Sequence, residues 1–187
     1  MNLLFLPIDI EIPKIDTSKI QSTINVINDL TYIKTAEYNE YWDTSRITYT
    51  VDDTLKSVLD QLPIKKVSNV YYKEQKQAVA PHYDVYPNMK FEEGEYANIV
   101  ENEPAGYRLV IEGSTDVLYV QSQGTFKLAE LPSVPSCYLL HTTAGLHKLK
   151  NDPGRKIIYI RGLIDTARHQ MLIEKSLKRY KNLAIIS

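Results

Sequence analysis

Apolar and polar positions divide the 187-residue chain into two regimes. The first third mixes strand and helix patterns. Residues 3–12 read as a strand in whose second half Ile8, Ile10 and Ile12 alternate with Asp9 and Glu11, and Pro13 closes it. Asp16-Thr17-Ser18 offers a helix cap, with Ile20, Ile24, Ile27 and Leu30 at helical spacing behind it. Tyr38, Tyr41 and Trp42 suggest a partly buried aromatic wall. Asp52 or Asp53 then caps a second helix, which carries Leu55, Val58, Leu59 and Leu62 on one face and stops at Pro63.

From Val67 the period changes. Short β-rich runs cover Val67 to Lys73, Ala78 to Asp84, Tyr107 to Glu112, Val117 to Gln121, Thr125 to Leu128, Cys137 to His141, Gly145 to Leu149 and Lys156 to Gly162. Turn signals separate them, at Gly113-Ser114, Gln123-Gly124, Pro132 to Pro135 and Asn151-Asp152-Pro153-Gly154. Strands punctuated this way predict a sandwich or barrel, not alternating βα units. Asn88 to Ala105 interrupts the series as a loop-like insert crowded with Glu92, Glu93, Glu95, Glu101 and Glu103. A loop of that length in a compact domain is a place to look for function. A last helix is expected from Asp165 or Thr166 to about Leu183, with Leu172, Ile173, Leu177 and Tyr180 available to cover a sheet.

Composition adds mainly exclusions. The length suits one domain with a core of its own. A formal charge of −1 gives no bulk attraction to nucleic acid or an anionic membrane. The one cysteine, Cys137, lies in the apolar run Ser136 to Leu140 and reads as a small buried hydrophobe. That usage fits a reducing compartment. The apolar start Met1 to Ile8 has no basic leader and meets Asp9 and Glu11 too early for a signal or membrane segment, so a cytoplasmic protein is expected.

The chemistry is concentrated in Pro81-His82-Tyr83-Asp84. On a strand, alternate side chains share a face, so His82 and Asp84 project together with Cα atoms roughly 6.5–7 Å apart. An imidazole and a carboxylate are two ligands of the facial site that holds non-haem Fe(II); a second histidine downstream would be the third. Alone, the pair also fits two polar residues on a solvent-facing strand. About sixty residues later the run Leu140 to Asn151 offers His141 and His147, and Arg155 follows His147 by eight positions at the start of the next strand.

With these four parts in place, the sequence resembles the Fe(II)- and 2-oxoglutarate-dependent dioxygenases over about Val67 to Ile164. Within them, Gly106-Tyr107-Arg108-Leu109-Val110-Ile111-Glu112-Gly113, His147 with Asn151, and Arg155 look most like the branch of aspartyl/asparaginyl and prolyl hydroxylases. The resemblance implies a mainly β fold, a double-stranded β-helix (jelly roll, cupin-like) at 67–164. Residues 1–66 would form a strand and helices packed on it, and 165–187 a C-terminal helix. It makes His82, Asp84 and His147 the iron ligands and catalytic centre. Arg155 would bind the distal carboxylate of 2-oxoglutarate, and Arg108 would lie near the co-substrate. Arg161 shares strand parity with Arg155 and could also face inward. His141 is read as a packed histidine, His169 as a solvated helix residue, and Asn151 as an Asx-turn residue that could instead touch the co-substrate. The chain departs from the family pattern in a slightly short His147–Arg155 spacing and in the acidic insert.

The implied reaction uses Fe(II), 2-oxoglutarate and O2 to hydroxylate a C–H bond, with succinate and CO2 as products. An acidic insert would suit a basic or neutral-polar substrate, a peptide or amino acid in preference to a nucleic acid. Two alternatives stay open. One is a cupin-like metal enzyme that does not use 2-oxoglutarate, although the histidine-rich, glycine-rich motif of such enzymes is missing. The other is a non-catalytic jelly-roll binding or structural module, in which His82 and Asp84 only hydrogen-bond.

Overall fold

The computed structural model describes residues 3–16, 18, 41–46, 53–84, 98–100 and 103–187. The helix expected behind Asp16, Tyr38 and most of the acidic insert lie outside them, as does the side chain of Arg161. In chain order the elements are β1 (Leu3–Ile8), β2 (Trp42–Arg46), α1 (Asp53–Gln61), β3 (Ile64–Gln75), β4 (Val79–His82), β5 (Asn98–Val100), β6 (Glu103–Glu112) and β7 (Leu118–Ser122). They continue with β8 (Thr125–Leu128), β9 (Ser136–His141), β10 (His147–Leu149), β11 (Lys156–Ile164), α2 (Thr166–Tyr180) and β12 (Ile185–Ile186).

The topology grows from one hairpin. Gln123 and Gly124 both have positive φ, 51° and 78°, which gives the tight β7–β8 turn a twist that matches its strands. From that tip the chain pairs with itself outward, β6 with β9, β4 with β10 and β3 with β11, always antiparallel. Lateral pairs β11–β6 and β10–β7 roll this long ribbon over on itself. The result is two facing sheets, one in the order β12-β1-β9-β6-β11-β3-β2 with β5 added to β6, the other β4-β10-β7-β8. This nested pairing is the double-stranded β-helix expected from the resemblance.

Most observed strands fit the sequence pattern within a few residues; β2 lies in a stretch not read as a strand, β5 and the start of β6 lie in the insert expected to be a loop, and two further departures concern the edge of the larger sheet. β1 stops at Ile8, four residues short of the expected end, and is buried continuously from Leu4 to Ile8. Leu6 and Ile8 enter the core on the helix side and Leu4 and Phe5 the core between the sheets, so β1 reads as an apolar run instead of an alternating one. The two-residue strand β12, which covers its outer edge, carries too little local pattern to be expected.

The larger sheet has a core on each face. Leu109, Ile158 and Ile160 pack with the helices, whereas Val110, Tyr138 and Ile157 point between the sheets. On α1, Leu55, Val58 and Leu59 are buried at i, i+3 and i+4. α2 starts at Asp165, whose side chain accepts from the Arg168 N–H at 3.1 Å, and it buries His169, Ile173 and Ser176 along one stripe.

His169 therefore corrects the expectation of a solvated residue. Its charged neighbour Arg168 and polar neighbour Gln170 suggested an exposed face, but the i, i+4, i+7 period of the buried stripe begins at the histidine itself. Only 4 % exposed, it shares a hydrogen bond between its Nδ1 and the Tyr107 hydroxyl at 2.6 Å. Burial, then the proximity of His141, lowers its pKa to about 4. The unfolded chain binds this proton near pH 6.5 and the folded one only near 4, so the His169 contribution is complete above pH 6.5 and fades as pH falls toward 4. At about 1.4 kcal/mol per pKa unit it amounts to roughly 3 kcal/mol. His169→Gln keeps a hydrogen-bonding partner for Tyr107 and cannot titrate. Urea unfolding of both proteins between pH 7 and 4 is expected to show a shallower loss in the variant; parallel curves would mean that His169 is protonated in the folded state.

Candidate metal centre

β4 ends on His82 and β10 begins on His147, and the register of the two strands makes these residues direct partners. Their ring centroids are 4.3 Å apart. Asp84 follows one strand period after His82, just beyond the strand end. Its N–H donates to the carbonyl of Thr142 at 3.0 Å, which ties it to the turn after β9. Asp84 Oδ1 lies 3.4 Å from His82 Nε2 and 3.8 Å from His147 Nε2. One ligand atom from each residue falls within 4.8 Å of the other two, so a single ion could reach all three.

The backbone sets the ring orientation. His82 Nδ1 is 2.8 Å from the Ala80 carbonyl, and His147 Nδ1 is 3.0 Å from the Gly145 carbonyl. A carbonyl can only accept, so in both rings Nδ1 carries the hydrogen. In the neutral rings Nε2 then keeps its lone pair on the side of Asp84, as metal-bound histidines held by a carbonyl do.

Charge supports the same arrangement. Burial alone would raise the Asp84 pKa, but the hydrogen bond from His82, the Arg108 cation, His147 and a hydrogen bond from Thr142 outweigh it, and the carboxylate stays ionised well below its usual range. His82 is raised, first by its hydrogen bond to Asp84. His147 is lowered to about 4, chiefly by burial, so it is neutral at ordinary pH.

The same cavity receives both arginines expected from the sequence. Arg108 places Nη2 3.6 Å from Asp84 Oδ2, donates through Nη1 to the Gly106 carbonyl at 3.2 Å and stacks over Tyr159 with 4.5 Å to the ring centroid. Arg155 is only 1 % exposed, and its Nε and Nη1 have no hydrogen-bond partner among the described residues. Leaving guanidinium donors unmet in a buried site is costly, and a carboxylate is the group whose two oxygens match that fork. On donor chemistry, the residues fit both an iron ion and a dicarboxylate.

Gly113 shapes the Arg155 end. Its φ is +116°, and a Cβ built there would stand 2.6 Å from Arg155 Cγ. Gly113→Ala is expected to cost roughly 1–3 kcal/mol in stability and to displace Arg155. A fall in melting temperature would support this; unchanged stability would show that the turn accommodates the methyl group.

Other expectations resolve individually. His141 is buried at the end of β9 and takes no part in the metal-ligating cluster, Asn151 is exposed, and burial pushes the Cys137 thiol up to about 12. Trp42 is a buried wall of the cavity. Lys73, Tyr138 and Tyr159 also line it and were not singled out in the sequence. Their one local signal is strand parity, which places Tyr159 on the face of Arg155 and Ile157.

Strand pairing and donor cluster together define a double-stranded β-helix protein with a candidate mononuclear metal centre. No protein-family model and no curated protein matches the sequence. Among solved structures it is similar to an oxidoreductase of the 2OG-Fe(II) oxygenase family from Burkholderia pseudomallei, with 8% sequence identity over 75% of this chain and 76% of that chain and a TM-score of 0.42. Among the described residues no helix is long and apolar enough to cross a membrane.

Proposed function

We propose that the chain is an Fe(II)- and 2-oxoglutarate-dependent oxygenase that hydroxylates a C–H bond of a peptide or amino-acid-like substrate. The observation that carries this reading is the buried Arg155, with Nε and Nη1 unmatched, in the cavity on which His82, Asp84 and His147 converge. A metal-binding module without a keto-acid co-substrate gives no reason for such a group.

His82, Asp84 and His147 would hold the iron on one side and leave the cavity side for other ligands. When bound, iron and 2-oxoglutarate supply the oxidising chemistry: one oxygen atom of O2 enters succinate as CO2 is released, and the other becomes the substrate hydroxyl. The protein supplies position and charge. Arg155 would anchor the distal carboxylate, and Arg108, against Asp84, would keep that carboxylate ionised and oriented beside the co-substrate. Val79, Leu118, Leu140, Leu149 and Ile157 supply an apolar lining that limits water around the reacting groups. The buried, free Cys137 suits work in a reducing cytoplasm.

The test is anaerobic addition of Fe(II) followed by 2-oxoglutarate. A metal-to-ligand charge-transfer band in the visible, and succinate on admission of air, are the expected results. Metal binding without the band would point instead to a metal enzyme of the same fold that does not use the keto acid. No metal binding at all would leave a binding module.

A further inference from the structure

Two of the three clustered ligands are gripped by one turn, which joins β9 to β10. β4 ends at His82, so Asp84 lies beyond the strand pairing that holds its neighbour. Its N–H donates instead to the Thr142 carbonyl at 3.0 Å, and the Thr142 hydroxyl donates to the Asp84 carboxylate. Thr142 therefore holds one residue by main chain and side chain together. It is only 1 % exposed, and its β-branched side chain has few rotamers open to it.

The other end of the turn serves His147. The Gly145 N–H closes the turn on the His141 carbonyl at 3.0 Å, and the Gly145 carbonyl accepts from His147 Nδ1, also at 3.0 Å. The turn is seated tightly: a Cβ on Gly145 would stand 3.2 Å from Val120 Cγ1, 3.3 Å from the His141 carbonyl oxygen and 3.6 Å from Leu4 Cδ2. β7 holds the next residue, because the Gln121 N–H donates to the Leu146 carbonyl at 2.8 Å. A turn packed on β1 and β7 thus sets the spacing between a carboxylate at the end of one strand and an imidazole at the start of another.

We propose that Thr142 is a positioning residue of the metal centre, which fixes Asp84, and through its turn the Asp84–His147 geometry, before an ion arrives. This rests on the metal-centre reading and is independent of 2-oxoglutarate. Asp84 Oδ1 faces the two histidines and Oδ2 faces Arg108. Rotation of the carboxylate would exchange those roles, and the hydroxyl of a stiff, buried side chain resists it. Ligands held in this way lose less freedom when the ion binds, and that gain appears as affinity.

Mn(II) is the probe, with the free ion counted by its electron paramagnetic resonance signal. Thr142→Val keeps the shape and the main-chain carbonyl but removes the hydroxyl, and it should weaken Mn(II) binding about 10–100-fold, the usual cost of losing a group that orients a metal ligand. Thr142→Ser returns the hydroxyl and should bind close to wild type. If Thr142→Val does not fold, Thr142→Ala removes the same hydroxyl with less bulk. A second measurement needs no variant: in metal-free wild type the Asp84 and Gly145 amides should already exchange slowly with solvent deuterium. The proposal is overturned if the variant without the hydroxyl binds Mn(II) like wild type, which is the outcome for a threonine that serves the fold alone, or if Thr142→Ser binds as weakly as Thr142→Val. It is also overturned if the Asp84 amide exchanges freely until Zn(II) is added, because the ion then orders the residue. Wild type that binds no Mn(II) removes the metal centre and the proposal with it; wild-type binding matched by Thr142→Val removes the proposal alone.

Discussion

Asp84→Ala is expected to abolish Fe(II) binding while leaving the fold in place. The carboxylate is the only negative charge among the three clustered ligand atoms, and its Oδ1 lies within 4 Å of both His82 Nε2 and His147 Nε2. Two neutral imidazoles without it hold a divalent ion poorly, and they face Arg108, whose Nη2 is 3.6 Å from the lost oxygen. Changes to groups that merely support metal ligands cost about 10–100-fold, so removal of a ligand should exceed a hundredfold. Asp84→Asn separates charge from shape, since it keeps one oxygen and the side-chain volume but removes the charge. The measurement is anaerobic thermal unfolding with and without Fe(II) or Mn(II). At about a hundred times its dissociation constant, a bound ion stabilises the native state by roughly 2.7 kcal/mol. Wild type should show that upward shift, and Asp84→Ala, Asp84→Asn and His147→Ala should not. A full shift in any of the three would remove that residue from the centre.

How far such a centre can be read from sequence depends on how local each signal is. His82 and Asp84 are two positions apart at the end of β4, and the strand period carried one step past the strand end places them on one face. His147 is different. Its pairing with His82 depends on the β4–β10 register, set by the fold-over of a ribbon whose tip lies at Gln123-Gly124. Spacing could nominate the residue but could not show the two rings facing each other.

The same distinction explains Arg155, Lys73 and His169. Residue type and position point to Arg155, whereas its unmatched Nε and Nη1 become visible only once β3, β6 and β11 close around it. Lys73 and Trp42 come from β3 and β2, pieces the sequence pattern treated as separate regions, and nothing in either stretch says that both reach the cavity. His169 was misread because a single polar side chain at the start of an amphipathic stripe looks like its exposed neighbours. Its hydroxyl partner Tyr107 is 62 residues away in sequence. The acidic insert and Arg161 illustrate the opposite case: composition and parity raise a question there, and the described side chains do not reach it.

Arg155→Met is expected to weaken 2-oxoglutarate binding strongly and, at the same time, to stabilise the ligand-free protein. A guanidinium buried to 1 % exposure with donors unmatched costs desolvation that the ligand-free fold does not recover. Replacement of buried charges by apolar side chains of similar size is often neutral or stabilising by about 1–4 kcal/mol. A residue kept for packing behaves the other way, because its loss leaves a hole. Loss of a bidentate charge-assisted pair should weaken the co-substrate by about 2–3 kcal/mol or more, which is roughly thirtyfold to over a hundredfold. Arg155→Lys should fall between, since an ammonium supplies the charge without the fork. Calorimetric titration of 2-oxoglutarate into Mn(II)-loaded protein gives the affinity, and urea unfolding of metal-free protein gives the stability. Metal binding itself should not change, because Arg155 is not among the clustered donor atoms. If Arg155→Met binds 2-oxoglutarate like the wild type, the co-substrate lies elsewhere in the cavity. If it binds weakly but is also strongly destabilised, the arginine serves the fold, and the case for a keto-acid site must rest on the charge-transfer band alone.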